Sequence, residues 1–266
     1  MHNLLPQIVS IAHLAGQAIM VVYDAPASEV MRKEDNSPLT QADLAADRVI
    51  NAGLENLKLG WPILSEESAQ VDYSIRKSWG RYWLIDPLDG TKEFIKHNGE
   101  FTVNIALIEN GKPVLGVVYS PVLDVCYYAE QDGGAFVKRG SSPAQTINAQ
   151  THEPGQAIKV VSGRSHTSAR TATLLDQIGP HESIHMGSSL KLCLVADGSA
   201  HLYPRYGKTM EWDTAAAHAV VKEAGGVVND ANGHELTYNK PDLHNPEFFV
   251  YAKSNQKLNK LIKEIV

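Results

Sequence analysis

Cysteine is scarce. The chain of 266 residues holds two, Cys126 and Cys193. They are too few and too far apart for a disulfide framework or a zinc motif. Each has apolar or aromatic neighbours (Val125 and Tyr127; Leu192 and Leu194), so buried free thiols in a reducing compartment are expected. Positive charge is also short, with 24 Lys and Arg against 30 Asp and Glu, a formal net charge of −6. That balance argues against a nucleic-acid polymer as partner. It leaves room for a small anionic substrate, because bound metal ions invert the local sign. No P-loop (G-x-x-x-x-G-K-[ST]) occurs, and repeats, low-complexity tracts and linkers are lacking. The start of the chain has no basic n-region, and the apolar stretch 8–23 is broken by Ser10, His13 and Gln17. Neither a signal peptide nor a transmembrane segment is expected. Hydrophobic residues make up 43%, enough for a chain of this length to bury a core without cross-links. The expectation is a soluble, cytoplasmic protein, with peripheral contact at the inner membrane face left open, as is the choice between monomer and homodimer.

The patterning places elements along the chain. Ile8, Ile11, Ala12, Ala15, Ala18, Ile19 and Val22 recur at helical spacing. A polar loop, 29–37, precedes a second helix with Thr40 as its expected N-cap and Leu44, Ala45, Val49 and Leu54 on one face. Strands are expected at 82–85, 101–108, 114–119, 125–129 and 135–138. The turns between them carry Asn110-Gly111, Ser120-Pro121 and Asp132-Gly133-Gly134. Further on, strands fall at 158–162, 200–203, 227–229 and 248–252, and helices at 168–178, 190–196, 214–224 and 258–266. This order predicts an α+β protein of layered helices and mixed or antiparallel sheets, not a simple doubly wound fold.

The sharpest feature is Trp83-Leu84-Ile85-Asp86-Pro87-Leu88-Asp89-Gly90-Thr91, an apolar strand that ends in two acids three residues apart. A packed core has no use for two acids there, since close carboxylates repel and their burial is costly without cations; the bland alternative is a solvated turn. Glu66-Glu67 also follow an apolar run, and taken alone would read as a surface turn. Asp213 precedes the Ala-rich helix 214–224, where an N-cap role is the alternative. Asp43 stands three residues after Thr40, the spacing of a capping box. No His or Cys accompanies these acids. An all-oxygen ligand set suits Mg²⁺ or Mn²⁺ over zinc and points to phosphoryl chemistry. Gly90-Thr91-Lys92-Glu93 is expected to open a helix beside the acids.

Three ordered motifs, Glu66-Glu67, Asp86-Pro87-Leu88-Asp89-Gly90-Thr91 and Trp212-Asp213-Thr214-Ala215-Ala216, together resemble the inositol-monophosphatase superfamily of lithium-sensitive, Mg²⁺-dependent phosphatases. Lys92-Glu93-Phe94 stands where inositol monophosphatases typically carry Thr-Asn-Phe. With the segments 99–107 and Gly187-Ser188-Ser189-Leu190-Lys191, it is similar to the bacterial 3′(2′),5′-bisphosphate nucleotidase branch tied to sulfur assimilation.

The resemblance implies an α-β-α-β-α sandwich, one compact unit. Residues 1–150 would carry most of the metal ligands. Residues 151–266 would carry the nucleotide contacts and one ligand. It implies hydrolysis of the 3′-phosphate of adenosine 3′,5′-bisphosphate, and by extension of its 5′-phosphosulfate analogue, with an inositol or sugar-phosphate monophosphatase as the alternative. Two or three Mg²⁺ ions are implied. Glu66, Asp86 and the carbonyl of Leu88 would hold one, and Asp86, Asp89 and Asp213 a second. A third would lean on Glu66 through water. Thr91 paired with Asp43 would orient and deprotonate the attacking water. Gly90, Thr91, Gly163, His166, Gly187, Lys191 and Asp213 would meet the substrate. For Lys191 a solvated helix position, and for His166 a surface position after a strand, are the alternatives.

Overall fold

Strand residues in the middle of the chain send alternate side chains to two different cores, and that alternation builds the layers. The computed structural model describes residues 4–24, 31–32, 38–39, 41–68, 71–152, 155–164 and 169–265. Helices Leu4–Tyr23 (α1) and Gln41–Asn56 (α2) flank a short antiparallel pairing of Met31–Arg32 (β1) with Pro38–Leu39 (β2). A seven-stranded sheet then runs in the order Ile63–Ser65 (β3), Arg81–Asp89 (β4), Thr102–Glu109 (β5), Lys112–Ser120 (β6), Val125–Glu130 (β7), Gly134–Arg139 (β8) and Gln145–Thr146 (β9). Its β3–β4 pair is parallel and its other neighbours are antiparallel. Between strands lie the short helices Tyr73–Arg76 (α3) and Thr91–Ile95 (α4).

The rest of the chain forms a five-stranded mixed sheet from Ile158–Ser162 (β10), His181–His185 (β11), Leu202–Arg205 (β12), Gly226–Asp230 (β13) and Phe248–Ala252 (β14), in the order β11-β10-β12-β14-β13. Helices Ala169–Ile178 (α5), Leu190–Ala196 (α6), Glu211–Glu223 (α7) and Gln256–Ile265 (α8) complete it. Trp83, Ile85, Val103, Ile105, Leu107 and Val117 pack outward under α1 and α2. Their neighbours Tyr82, Leu84, Ala106, Ile108 and Val118 face inward onto α6 and α7. Val161, Tyr203, Phe248 and Val250 close that inner core from the second sheet. Ile158, Val160, Leu202 and Phe249 form a third core with Leu174 of α5 and Leu258 and Ile262 of α8. The layers are therefore α-β-α-β-α, as expected.

Several boundaries differ from the sequence reading. Thr40, the expected cap of α2, lies outside the described residues. The buried ridge of α2 is Ala42-Ala46-Ile50-Leu54, with Asp43 beside it. Leu44, Ala45 and Val49 are half-buried. A strict i, i+4 ladder of small and apolar residues fits closely against the sheet, and it carries Asp43 inward. The strand expected at 200–203 runs 202–205. β11 was not foreseen, because His181-Glu182-Ser183-Ile184-His185 is a polar edge strand without a hydrophobic pattern. α1 is long and apolar enough to cross a membrane by length and composition, with a mean hydropathy of 1.6. Its Ile8, Ile11, Ala12, Ala15 and Ile19 are nonetheless spent on packing against α2 and the sheet.

α7 is buried almost all round, the pattern of a helix with packing partners on both sides. Its alanines keep it thin, and Gly116 of β6 lets it come closer still. A Cβ at residue 116 would lie 2.1 Å from the Ala216 carbonyl oxygen and 2.8 Å from Ala219 Cβ. Gly116→Ala should therefore destabilise the protein by at least about 1–3 kcal/mol, the cost of overpacking a tight core. Urea unfolding measures this, and an unchanged midpoint would show that α7 yields.

Candidate active site

Glu66 and Asp86 are brought together by the parallel pairing of β3 with β4. Ser65, the last residue of β3, pairs with Ile85, so Glu66, which opens a 3₁₀ turn, leaves the sheet beside Asp86. Asp89 reaches the same face through an irregularity. Strict alternation would put residues 86 and 88 on one face and 89 on the other. The register with β5 shifts between Asp86↔Asn104 and Asp89↔Thr102, so three β4 residues span two of β5. This bulge turns Leu88 into the outer core and Asp89 inward. Pro87, which has no N–H to give a ladder, sits at the one place in a central strand that tolerates it. The two acids thus lie within a strand that runs to Asp89, not beyond its end. Gly90 follows at φ +94° and starts α4 at Thr91, a conformation that only glycine adopts freely.

Asp213 arrives from the middle layer. α7 begins at Glu211, three residues before the expected start, so Asp213 lies inside its first turn and is not the N-cap. Its carboxylate accepts the Met210 N–H at 2.8 Å, which is the capping-box bond of an N3 acid.

The electrostatics are unfavourable without a cation. Asp86 is 1% exposed, and among the described residues neither of its carboxylate oxygens has a hydrogen-bond donor. Burial pushes its pKa far up, and the negative charges of Glu66, Asp89, Asp213 and Asp43 push it further. Asp213 is pushed up to about 8, by burial first and then by Asp89. Among the described residues no three acid, His or Cys side chains already converge in ion-holding geometry. Asp89 instead accepts from Ser188 Oγ at 2.7 Å and the Ser189 N–H at 2.6 Å. The orphaned Asp86 oxygens, set among mutually repelling carboxylates, fit hard divalent cations such as Mg²⁺.

A cationic wall faces these acids. Gly163 and Gly187 follow the ends of the parallel strands β10 and β11, which stay joined by the Met186 N–H to the Ser162 carbonyl at 3.1 Å. Gly187 leads into Ser188, at φ +53°, and then α6. Lys191 on α6 is buried, not solvated: 8% of it is exposed. Its Nζ donates to the Ser188 carbonyl at 2.5 Å and lies 5.7 Å from the Tyr203 ring centroid. Burial lowers its pKa to about 8, against the opposing pull of Asp89. Lys191, Asp89, Asp213, Tyr203 and Arg205 line one pocket. Arg205 was missed from sequence, where it is a lone cation at the end of a short strand. Ser188 and Ser189 stood in a quoted motif without a role. His166 lies outside the described residues.

The inositol monophosphatase family model matches residues 1–266. The 3′(2′),5′-bisphosphate nucleotidase CysQ of Salmonella typhimurium is 51% identical over 249 residues, covering 93% of this chain and 99% of the relative. That of Escherichia coli K12 is 49% identical over the same shares. Among solved structures, CysQ from Bacteroides thetaiotaomicron superposes with a TM-score of 0.84 at 41% identity, covering 94% of this chain and 97% of the other. The extragenic suppressor protein suhB from Bartonella henselae gives 0.81 at 25%, covering 98% of each. The chain belongs to the inositol monophosphatase family.

The raised carboxylates fix the sign of a pH effect. An acid whose folded pKa lies above its unfolded value keeps its proton in the folded state where the unfolded chain has lost it. Stability then falls as the pH rises through that window. For Asp213 the window runs from its ordinary 3.8 to about 8. In EDTA, the site's contribution should make the melting temperature fall between about pH 5 and about pH 8. Mg²⁺ should raise it most at the upper end. Differential scanning calorimetry on wild type and Asp86→Asn checks this. An equal pH slope in both proteins would disconnect the effect from the cluster.

Proposed function

We propose that this protein is a metal-dependent phosphatase that hydrolyses the 3′-phosphate of adenosine 3′,5′-bisphosphate to AMP and phosphate. The observation that carries the reading is the meeting, in one place, of the buried Asp86, set among mutually repelling acids, with a buried lysine. The first group suits cations that receive a scissile phosphate. The second suits another phosphate that is not cleaved. The nucleotidases named among its relatives, about half identical over nearly their whole length, support the substrate class.

In this reading Glu66, Asp86, Asp89, Asp213 and the carbonyl of Leu88 hold two or three Mg²⁺ ions. When bound, the ions supply charge neutralisation for the phosphate and lower the pKa of the attacking water. Thr91 and Asp43 orient that water and take its proton. Gly90 lets the backbone approach without a side chain in the way. Lys191, Arg205 and the Gly187 turn hold the second phosphate, with Gly163 and His166 as further substrate contacts. The enzyme works on a small soluble nucleotide in the cytoplasm.

Phosphate release from adenosine 3′,5′-bisphosphate and from inositol 1-phosphate, with and without Mg²⁺, tests the reading. Activity confined to the nucleotide and abolished by EDTA is expected. A preference for inositol 1-phosphate would assign the chain to the monophosphatases instead. Asp89→Asn removes one ligand charge and should slow turnover by on the order of a hundredfold or more while the fold survives. Near-native turnover at limiting Mg²⁺ would remove Asp89 from the ligand set. Lys191→Ala should cost roughly ten- to a hundredfold in kcat/KM on the bisphosphate and little on 3′-AMP. Equal losses on both nucleotides would make the lysine structural.

A further inference from the structure

Glu100 lies in the loop between α4 and β5 and reaches across to the other sheet's half of the molecule. Its side chain is 9% exposed. Glu100 Oε2 accepts from Arg164 Nε at 2.7 Å and from the Gly187 N–H at 2.8 Å. Oε1 accepts from Arg164 Nη2, completing a bidentate fork. The backbone is pinned as well. The Glu100 N–H donates to Asn98 Oδ1 at 3.0 Å, and a Cβ on residue 187 would stand 2.5 Å from the Glu100 carbonyl oxygen. One carboxylate therefore fastens both chain segments that leave the parallel β10–β11 ends, at Gly163-Arg164 and at Gly187.

The next residues have separate anchors. Ser188 and Ser189 are held by Asp89, and Ser189 Oγ also donates to Asn104 Oδ1 at 2.8 Å. Thr102 Oγ1 lies 2.8 Å from Ser189 Oγ. Removing the Glu100 charge would therefore release the Gly187 end of the turn and Arg164, while the end attached to the metal carboxylates stays in place. What would move is the Gly187 and Arg164 edge of the cationic wall for the uncleaved phosphate.

We propose that Glu100 is a positioning residue for substrate selectivity: by clamping Arg164 and Gly187 it sets the wall that accepts the second phosphate of a nucleoside bisphosphate. The proposal rests on the bisphosphate reading given above.

The test compares wild type, Glu100→Gln, Arg164→Met and the double variant on adenosine 3′,5′-bisphosphate and on 3′-AMP at saturating Mg²⁺. The wild-type row tests the underlying reading by itself. If wild type takes both nucleotides equally well, there is no second-phosphate subsite, and the proposal falls with it. Given a wild-type preference, Glu100→Gln should raise KM for the bisphosphate roughly tenfold with kcat within about twofold, and leave kcat/KM on 3′-AMP within about threefold. Arg164→Met, at a half-exposed side chain, should shift KM in the same direction by less. The double variant should be no worse than Glu100→Gln, because both changes remove one shared contact. If Glu100→Gln does not fold, Arg164→Met decides by the same criteria. Equal losses on the two nucleotides, or an unchanged KM in the folded variants, would overturn the proposal.

Discussion

An aspartate, Asp86, buried with no donor for either oxygen among the described residues is the constraint on which this architecture turns. Taking a carboxylate out of water costs several kcal/mol even after the surroundings relax, and four other acids stand close enough to Asp86 to add to that cost. Three independent structural devices nonetheless bring acids close to Asp86: the parallel β3–β4 pair, the bulge at Pro87-Leu88 and the first turn of α7. Such a gathering of like charge is the arrangement that the proposed cation site requires.

Glu211 supplies the contrast. It is fully buried two residues from Asp213, yet it is fully met. It accepts the N–H groups of Asn239 and Lys240 at 2.7 and 2.9 Å and Lys240 Nζ at 2.6 Å. Arg76 donates to the Lys240 and Pro241 carbonyls at 2.6 and 2.8 Å, and Asn245 Nδ2 donates to the Met210 carbonyl at 2.7 Å. This polar clamp holds the start of α7, and with it Asp213, against both sheets. Within one helical turn, one acid is satisfied by the protein and serves structure. The other belongs to the group of acids around Asp86, whose own carboxylate has no donor among the described residues.

Much of this was legible in the sequence because its signals are local. An apolar run ending in Asp86-Pro87-Leu88-Asp89 announces misplaced charge whatever surrounds it, and the runs 101–108 and 114–119, parted by Asn110-Gly111, announce their strands. The bounds of α6, β10 and β14 follow from their apolar runs alone. What escaped depends on partners distant in the chain. The bulge that turns Asp89 inward is a matter of register with Thr102 and Asn104. Lys191 looks like any lysine on a short helix until Tyr203 and the second sheet cover it. Arg205 and Glu100 carry no local pattern, and their positions emerge only when two sheets close over α7. The early start of α7 was hidden because Glu211-Trp212-Asp213 reads as a cap, although Asp213 bonds back to Met210 from inside the helix.

The claim that carries the account is that the Asp86 cluster is a cation site. Anomalous diffraction from crystals of the protein grown with Mn²⁺ tests it most directly. Peaks between Asp86 and its neighbours Glu66, Asp89 and Asp213, with Asp86 turned toward the ion, are the predicted result. A map with no peak at Asp86, or with manganese bound only at surface carboxylates, would contradict it.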